Sequence, residues 1–163
     1  MSADQLPALI WFVKYPEPGA VKTRLAKGIG DQSAVALYTQ FLRDFIVSIP
    51  TIETCDVVPY VGQADRVEDF RRTFGGPQGV AQVQEDLGQR ILAAFEEQFE
   101  RGCEKVLVIG SDTPQLSTDV IVEAINALDI NDSVIGPADD GGYYLLGFRR
   151  NRFLEDVFQN MEW

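Results

Sequence analysis

Two short runs that are apolar at almost every position constrain the fold of this chain most strongly. They are ALIWFV at residues 8–13 and KVLVI at residues 105–109. A strand with apolar side chains on both faces is buried on both faces, as in a parallel sheet that helices cover on both sides. Each run is followed by a loop and then by a helical pattern, which is the order of elements in an α/β protein.

The rest of the chain continues this alternation. Helical spacing of apolar residues predicts helices over 33–49, 65–74, 87–99 and 117–128. Further strands are predicted over 55–61, 132–135 and 143–148. Ser117 is a candidate cap for the last helix, and Pro59 places its strand at an edge or a bulge. The pattern predicts one α/β domain, residues 1–163, with a mostly parallel central sheet and helices on both faces.

Charge and composition exclude several classes of function. The chain carries 14 basic and 25 acidic residues, a net charge of −11, which disfavours nucleic acid or an anionic membrane as the main partner. It has no histidine, which excludes Ser–His and Cys–His nucleophile systems and histidine metal ligands. Cys55 and Cys103 are far apart in sequence and predict neither a disulfide framework nor a zinc site. We therefore expect a cytoplasmic protein without a signal peptide or membrane span.

The loop after the first strand, KYPEPGAVKTR, is basic and rigid in an otherwise acidic chain. Lys14, Lys22 and Arg24 lie within eleven residues, and Gly19 allows the backbone to approach a ligand closely. Ammonium groups, a guanidinium and backbone amides suit a di- or triphosphate. A solvated basic loop without a ligand is the alternative, and the sequence around Lys22 lacks the glycines of a Walker A loop.

Two further strand ends carry carboxylates. Asp112 follows residues 105–109, and the adjacent Asp139 and Asp140 precede two glycines in GPADDGG. Ligands in open α/β sheets bind beyond the carboxyl ends of the strands, so these loops share one edge with the basic loop. Oxygen ligands without histidine or cysteine suit Mg²⁺ or Mn²⁺. The alternatives are a capped turn at Asp112 and a plain Asp-Gly hairpin at Asp140.

Four stretches together resemble a bacterial family known as DUF2064, over residues 9–148. They are FVKYPEPGAVKTRLAKGIG, QEDLGQRILAAF, VLVIGSDTPQL and VIGPADDGGYYLLGF. The family is often labelled a glycosyltransferase family. It is similar to the nucleotide-diphospho-sugar transferase superfamily, and its relatives include 2-phospho-lactate guanylyltransferases. The resemblance implies a transferase with a single Rossmann-like GT-A domain and a divalent metal between a protein carboxylate and the nucleotide phosphates.

The resemblance also implies roles for individual residues. The nucleotide-binding positions are expected to be Lys14, Gly19, Lys22, Thr23, Arg24 and Arg90. The catalytic positions are expected to be Lys22, Arg24 and Asp112, and the metal ligands Asp112 and Asp140. Glu85 and Gln89 depart from the family pattern beside Arg90, for which a surface ion pair is the alternative. Relatives usually continue a few dozen residues beyond the final FQNMEW, so we expect this chain to be short at its C-terminus.

Three functions remain open at this point. We favour nucleotidyl transfer, in which a phosphorylated small acceptor attacks the α-phosphate of an NTP and releases pyrophosphate. In glycosyl transfer, a sugar moves from a nucleotide-sugar to an acceptor hydroxyl, and an inverting enzyme needs a carboxylate base. A nucleotide-binding module without catalysis is the third possibility, and a structural domain without a ligand is the alternative to all three. The partners are then a nucleotide and a small acceptor, with the nucleobase, the acceptor and the oligomeric state undetermined.

Overall fold

The computed structural model describes residues 5–158 and contains a central sheet of six strands. The strands are β1 (Ala8–Val13), β2 (Asp56–Val61), β3 (Val80–Ala81), β4 (Lys105–Gly110), β5 (Ser133–Pro137) and β6 (Tyr143–Arg149). They lie in the order β3-β2-β1-β4-β6-β5. The pairs β2–β3, β1–β2 and β1–β4 are parallel, and β6 runs antiparallel to both β4 and β5. The mostly parallel sheet predicted from the sequence is confirmed.

Five α-helices connect and cover these strands. They are α1 (Thr23–Ile29), α2 (Asp31–Ser48), α3 (Val67–Phe74), α4 (Leu87–Glu100) and α5 (Thr118–Ala127). The predicted cap at Ser117 is present, because its hydroxyl accepts a hydrogen bond from Val120 N at 3.4 Å. Asp86 caps α4 in the same way through Gln89 N at 3.0 Å. Within residues 5–158, no helix is long and apolar enough to cross a bilayer.

The sheet separates two hydrophobic cores, as its doubly buried strands require. Helices α2, α3 and α5 pack on one face, over a core that includes Trp11 and Leu107. Helix α4 packs on the other face over Ile10 and Val108. Five phenylalanine rings complete this second core: Phe95, Phe99, Phe148, Phe153 and Phe158. Phe153 and Phe158, which follow β6, therefore belong to the core, and Trp11 is buried.

The structure corrects the sequence-based assignment at two elements and explains a third. Helix α1 lies inside the segment interpreted as a loop, and β3 was not predicted. Helix α1 has only seven residues and none of them is buried, so it carries no apolar periodicity. Strand β3 has two residues. Pro59 is tolerated in β2 because β3 pairs only with Tyr60 and Val61, which leaves Pro59 without a partner strand on its outer side.

Candidate active site

The three loops singled out in the sequence lie side by side at one edge of the sheet. Strands β1, β4 and β5 all run in the same direction, so their carboxyl ends lie at the same edge. The register pairs Phe12 with Gly110, which puts the end of β1 next to the end of β4, and Ile109 with Leu145, which puts the start of β6 next to the end of β4. Fold topology therefore brings the basic loop, the Asp112 loop and the Asp139–Asp140 turn to one edge, as predicted.

The first loop is fixed by contacts with the segment that follows β2. The Gln63 side-chain amide accepts a hydrogen bond from Tyr15 N at 2.8 Å and donates one to Tyr15 O at 3.1 Å. Arg66 forms an ion pair with Glu17 at 2.6 Å and lies over the Tyr15 ring, 5.6 Å from its centroid. Gly19 has φ +77°, a conformation that favours glycine. The loop is therefore ordered by its own neighbours.

Lys22 ends this loop in an unusual backbone conformation. It is the N-cap residue of α1 and has φ 49° and ψ 39°, in the left-handed helical region. It is the one non-glycine residue with positive φ among residues 5–158. The next two candidate residues, Thr23 and Arg24, lie in the first turn of α1 and are exposed. They are thus presented by a helix and not by the loop in which the sequence interpretation placed them.

Lys22 and Asp112 are in direct contact. The Lys22 ammonium lies 2.7 Å from Asp112 Oδ1. The Lys22 side chain is 17% exposed, whereas that of Asp112 is 79% exposed. The lysine is therefore enclosed by protein, and most of the aspartate surface faces solvent. Among the described residues, neither the Lys14 ammonium nor the Arg24 guanidinium forms an ion pair, so both cations at this edge are available to an anionic ligand.

Tyr38 on α2 connects the ends of β1 and β4, and the sequence interpretation missed it. Its hydroxyl accepts a hydrogen bond from Lys14 N at 3.1 Å and shares another with Ser111 Oγ at 2.8 Å. The residue is only 2% exposed. Burial raises the pKa of the Tyr38 phenol above its ordinary value, and its hydrogen bonds to Ser111 and Lys14 oppose this shift in part. The phenol therefore stays protonated at neutral pH and fixes the two strand ends relative to each other.

The second acidic position lies in the hairpin turn between β5 and β6. Asp140 Oδ1 accepts a hydrogen bond from Gly142 N at 3.1 Å, and Gly141 adopts φ +90°. Asp139 and Asp140 are both exposed. The Asp-Gly hairpin that the sequence offered as an alternative is thus present. The turn holds one carboxylate oxygen of Asp140 in a hydrogen bond, and the side chain remains exposed to solvent.

Arg90 lies on α4, which packs on the opposite face of the sheet from α2 and α5. Its Nε donates a hydrogen bond to Glu85 O at 2.6 Å. This contact with the backbone takes the place of the surface ion pair considered from the sequence. Arg90 is therefore positioned at the start of α4, on the same sheet edge but apart from the contact between Lys22 and Asp112.

The donor set fits a divalent metal that arrives with a polyphosphate. No group of three or more histidine, cysteine, aspartate or glutamate side chains that could hold a metal exists within residues 5–158. Mg²⁺ usually binds through one or two carboxylates together with substrate phosphates and water, rather than in a cage made only of protein. The exposed carboxylates of Asp112 and Asp140 are of the type that could supply such ligands.

A cavity of about 300 Å³ adjoins the Asp112 loop, between α2 and the segment that leads into α5. Its apolar lining includes Trp11, Phe45 and Ile109, and hydroxyl groups line it at Ser111 and Thr118. Asp44 is the one charged residue among the lining side chains of the described chain. A mostly apolar cavity with a few polar groups is typical of small-molecule sites.

With this geometry established, similarity to known proteins identifies the family. The family described as "Uncharacterized protein conserved in bacteria (DUF2064)" matches residues 48–163, more than half of the chain. The chain belongs to the DUF2064 family. The resemblance drawn from the four sequence stretches is thus confirmed.

The DUF2064 chain is also similar to proteins with transferase names. A crystal structure from Desulfovibrio desulfuricans G20, provisionally named a nucleotide-diphospho-sugar transferase, shares 39% identity and a TM-score of 0.90, covering 98% of this chain and 70% of that one. A 2-phospho-L-lactate guanylyltransferase of Methanocaldococcus vulcanius is 23% identical over 136 residues, 83% of this chain. The DUF2064 chain spans 59% of the length of that guanylyltransferase. These similarities place the chain in the nucleotide-diphospho-sugar transferase superfamily.

A more distant structure shows the same fold. A Mycobacterium tuberculosis H37Rv protein, solved as a manganese complex, has a TM-score of 0.59 and 12% identity. The alignment covers 98% of the DUF2064 chain and 77% of that protein. At this identity the likeness shows the fold alone, a mostly parallel α/β sheet.

Proposed function

We propose that this chain binds an NTP with Mg²⁺ or Mn²⁺ at the carboxyl edge of its sheet and transfers the nucleotidyl group to a phosphorylated small acceptor. The observation that carries the proposal is the enclosed Lys22 ammonium beside the open Asp112 carboxylate, with two more unpaired cations at the same edge. A polyphosphate carries three or four negative charges, and this is the one basic cluster that the three loops form. The similarity to a guanylyltransferase supports the same reaction.

The residues suit the charges of that reaction. An anionic acceptor oxygen attacks the α-phosphorus, the bond to the bridging oxygen breaks, and pyrophosphate leaves with the electron pair. Lys22 and Arg24 would neutralise the charge that develops on the phosphate oxygens. The nucleophile is already anionic, so the absence of histidine is no obstacle. A divalent metal held by Asp112 and Asp140 would supply further charge stabilisation across the phosphates, and the manganese complex of the M. tuberculosis neighbour is consistent with such a metal.

Glycosyl transfer is the second candidate, and the cavity beside Asp112 favours it. Its lining includes hydroxyl groups and Asp44 but no lysine or arginine, so it suits a neutral hydroxyl acceptor better than a phosphate. The name of the D. desulfuricans protein agrees with a nucleotide-sugar donor. Both reactions would use the same nucleotide site, so the identity of the donor distinguishes them.

Calorimetric titration tests the proposal. The protein is titrated with the four NTPs and with UDP-, GDP- and dTDP-sugars, in Mg²⁺ or Mn²⁺ and then in EDTA. We expect metal-dependent binding of one NTP more tightly than of the matching nucleotide-sugar. The reverse preference would establish the glycosyl donor instead, and the lack of binding to any of them would contradict a nucleotide site.

Two aspartate variants locate the metal-dependent site. Asp112→Ala is expected to abolish metal-dependent nucleotide binding while it changes the free energy of unfolding by less than about 1 kcal/mol, because exposed ion pairs contribute little. Asp129→Ala is the matched control, since Asp129 is also an exposed partner of a lysine, Lys105, and lies beyond the other end of the sheet. Equal nucleotide binding by the two variants would show that Asp112 holds no metal.

A further inference from the structure

The backbone of Lys22 is strained. A left-handed conformation is unfavourable for a residue with a side chain, and glycine is the residue that adopts it at little cost. Such a conformation persists only where surrounding contacts hold it, and it is often found at ligand sites. The contacts that hold Lys22 therefore indicate what its side chain is positioned to do.

Two aromatic rings of α2 enclose the Lys22 ammonium. Nζ lies 5.7 Å from the centroid of the Tyr38 ring and 5.6 Å from that of the Phe41 ring. Residues three apart on a helix share one face, so the two rings form a continuous surface, which we call the aromatic seat. Both distances are within the range in which an aromatic face attracts a cation.

The aromatic seat is itself fixed to the strand ends. The Tyr38 hydroxyl bonds to Lys14 N and to Ser111, the residue before Asp112. A shift of this ring would break contacts with both β1 and β4. The seat therefore sets the position of the Lys22 ammonium relative to the same two loops that carry the other candidate residues.

The ion pair with Asp112 is a weaker constraint on Lys22 than the seat. The Asp112 side chain is 79% exposed, and pairs with such exposed partners are weakened by water and salt. The two aromatic contacts lie in the enclosed part of the site, where the Lys22 side chain is 17% exposed. The two rings of α2 thus hold the ammonium, while most of the Asp112 carboxylate remains accessible to solvent.

We propose that Tyr38 and Phe41 are positioning residues that hold the Lys22 ammonium ready for a polyphosphate chain, a role that rests on the proposed nucleotide site. A lysine side chain has many rotamers, and ordering it on binding weakens the affinity. The aromatic seat orders Lys22 before the ligand arrives. It therefore strengthens binding of the phosphates and leaves binding of the nucleoside unaffected.

The test compares two phenylalanines of α2. Phe41→Leu removes one ring of the seat. Phe45→Leu removes a ring one turn further along, which packs on Trp11 with centroids 4.6 Å apart and makes no ring contact with Lys22. Inorganic tripolyphosphate with Mg²⁺ and the free nucleosides are titrated into wild type and both variants, and each variant is also melted thermally.

We expect Phe41→Leu to weaken tripolyphosphate binding about fivefold, as the loss of one cation–π contact predicts, with nucleoside binding unchanged. Phe45→Leu is expected to lower the melting temperature and to leave tripolyphosphate affinity at the wild-type value. Equal tripolyphosphate affinity in wild type and Phe41→Leu, or equal weakening in both variants, would overturn the positioning role. Absence of tripolyphosphate binding to the wild type would instead refute the proposed phosphate site, and the positioning role with it.

A ligand-free measurement checks the seat itself. The chain has four lysines, so carbon–proton spectra of lysine-labelled protein contain four ε-methylene signals, and Lys22→Arg assigns the one of interest. Ring currents of two aromatic faces shift that signal upfield in the wild type. We expect this shift to shrink in Phe41→Leu and to persist in Phe45→Leu. A Lys22 signal at the position of an exposed lysine would show that the aromatic seat does not hold the ammonium in solution.

Discussion

Replacing Tyr38 with phenylalanine tests whether one buried hydroxyl joins the two strand ends of the site. The variant keeps the ring but removes the oxygen, which accepts a hydrogen bond from Lys14 N and shares another with Ser111 Oγ. Ser111 is partly exposed, so its hydroxyl can form a hydrogen bond with water in place of the one to Tyr38, and the cost of losing that bond is small. Lys14 N is left without its acceptor, and an unsatisfied buried donor costs about 1–3 kcal/mol. Because this amide is only partly buried, we expect the lower half of that range, about 1–2 kcal/mol.

Urea unfolding at pH 7 measures this loss as a lower midpoint with an unchanged slope, because the variant exposes the same surface on unfolding. The melting temperature should fall by roughly 2–8 °C for a chain of this size. Ser111→Ala is the matched control, since it leaves Lys14 N bonded to the Tyr38 oxygen, and it should cost less than about 1 kcal/mol. A Tyr38→Phe variant as stable as the wild type would refute the connecting role of the hydroxyl.

The same variant has a signature at alkaline pH. Burial raises the pKa of Tyr38 in the folded state, so the protonated phenol stabilises the fold fully below the unfolded value of about 10. As pH rises above 10, the unfolded state loses its proton first and the wild type loses this stability, by up to about 1.4 kcal/mol per pH unit. The variant has no such proton, so its deficit should shrink between pH 10 and 11. A constant or growing deficit over that window, measured in EDTA, would contradict the burial argument.

Further substitutions test the packing and the charge at Glu96. Gly136→Ala should lower the free energy of unfolding by about 1–3 kcal/mol, because its Cβ would lie 2.6 Å from the Tyr144 ring. Gly28→Ala in α1 meets nothing within 4 Å and should stabilise the fold slightly. Phe95→Ala should cost about 3–5 kcal/mol in urea unfolding, because the ring is fully buried among four others. Burial and two nearby carboxylates raise the pKa of Glu96, so its charge opposes folding. Glu96→Gln should therefore raise the urea midpoint at pH 7, and this gain should disappear as pH falls towards 4.

The fold was predictable because its strands are short and apolar on both faces. Residues 8–13 and 105–109 lie in the centre of the sheet as β1 and β4, where doubly buried strands belong. Helix α1 was not predictable in the same way. A helix without a single buried residue has no apolar stripe, and the prolines just before it indicate a loop. The position of Thr23 and Arg24 on a helix therefore required the structure.

The candidate site was predictable as a set of loops but not as a set of contacts. Residue types and strand ends identified Lys22 and Asp112, because charged groups past buried strands share one edge of the sheet. The contacts of Tyr38 and Phe41 with Lys22 were missed, because aromatic residues at helical spacing are ordinary core residues in a sequence. The sequence signal for these residues is a pair of aromatic side chains three positions apart on the helix that follows a basic loop. Whether such a pair contacts the lysine depends on the backbone conformation of Lys22, which the sequence does not show.

That turn links stability to the proposed function. At φ 49° a glycine would relieve backbone strain of roughly 1–2 kcal/mol, yet Lys22 occupies the position. The exposed pair with Asp112 offsets only part of this strain, since such pairs contribute about 0–1 kcal/mol. The proposed role of the aromatic seat is to supply the remaining stabilisation and to fix the ammonium at the same time. A metal that arrives with a polyphosphate would compete with Lys22 for the carboxylate of Asp112, and because the seat holds the lysine independently, the ammonium can remain in place and bind phosphate oxygens when that carboxylate turns to the metal.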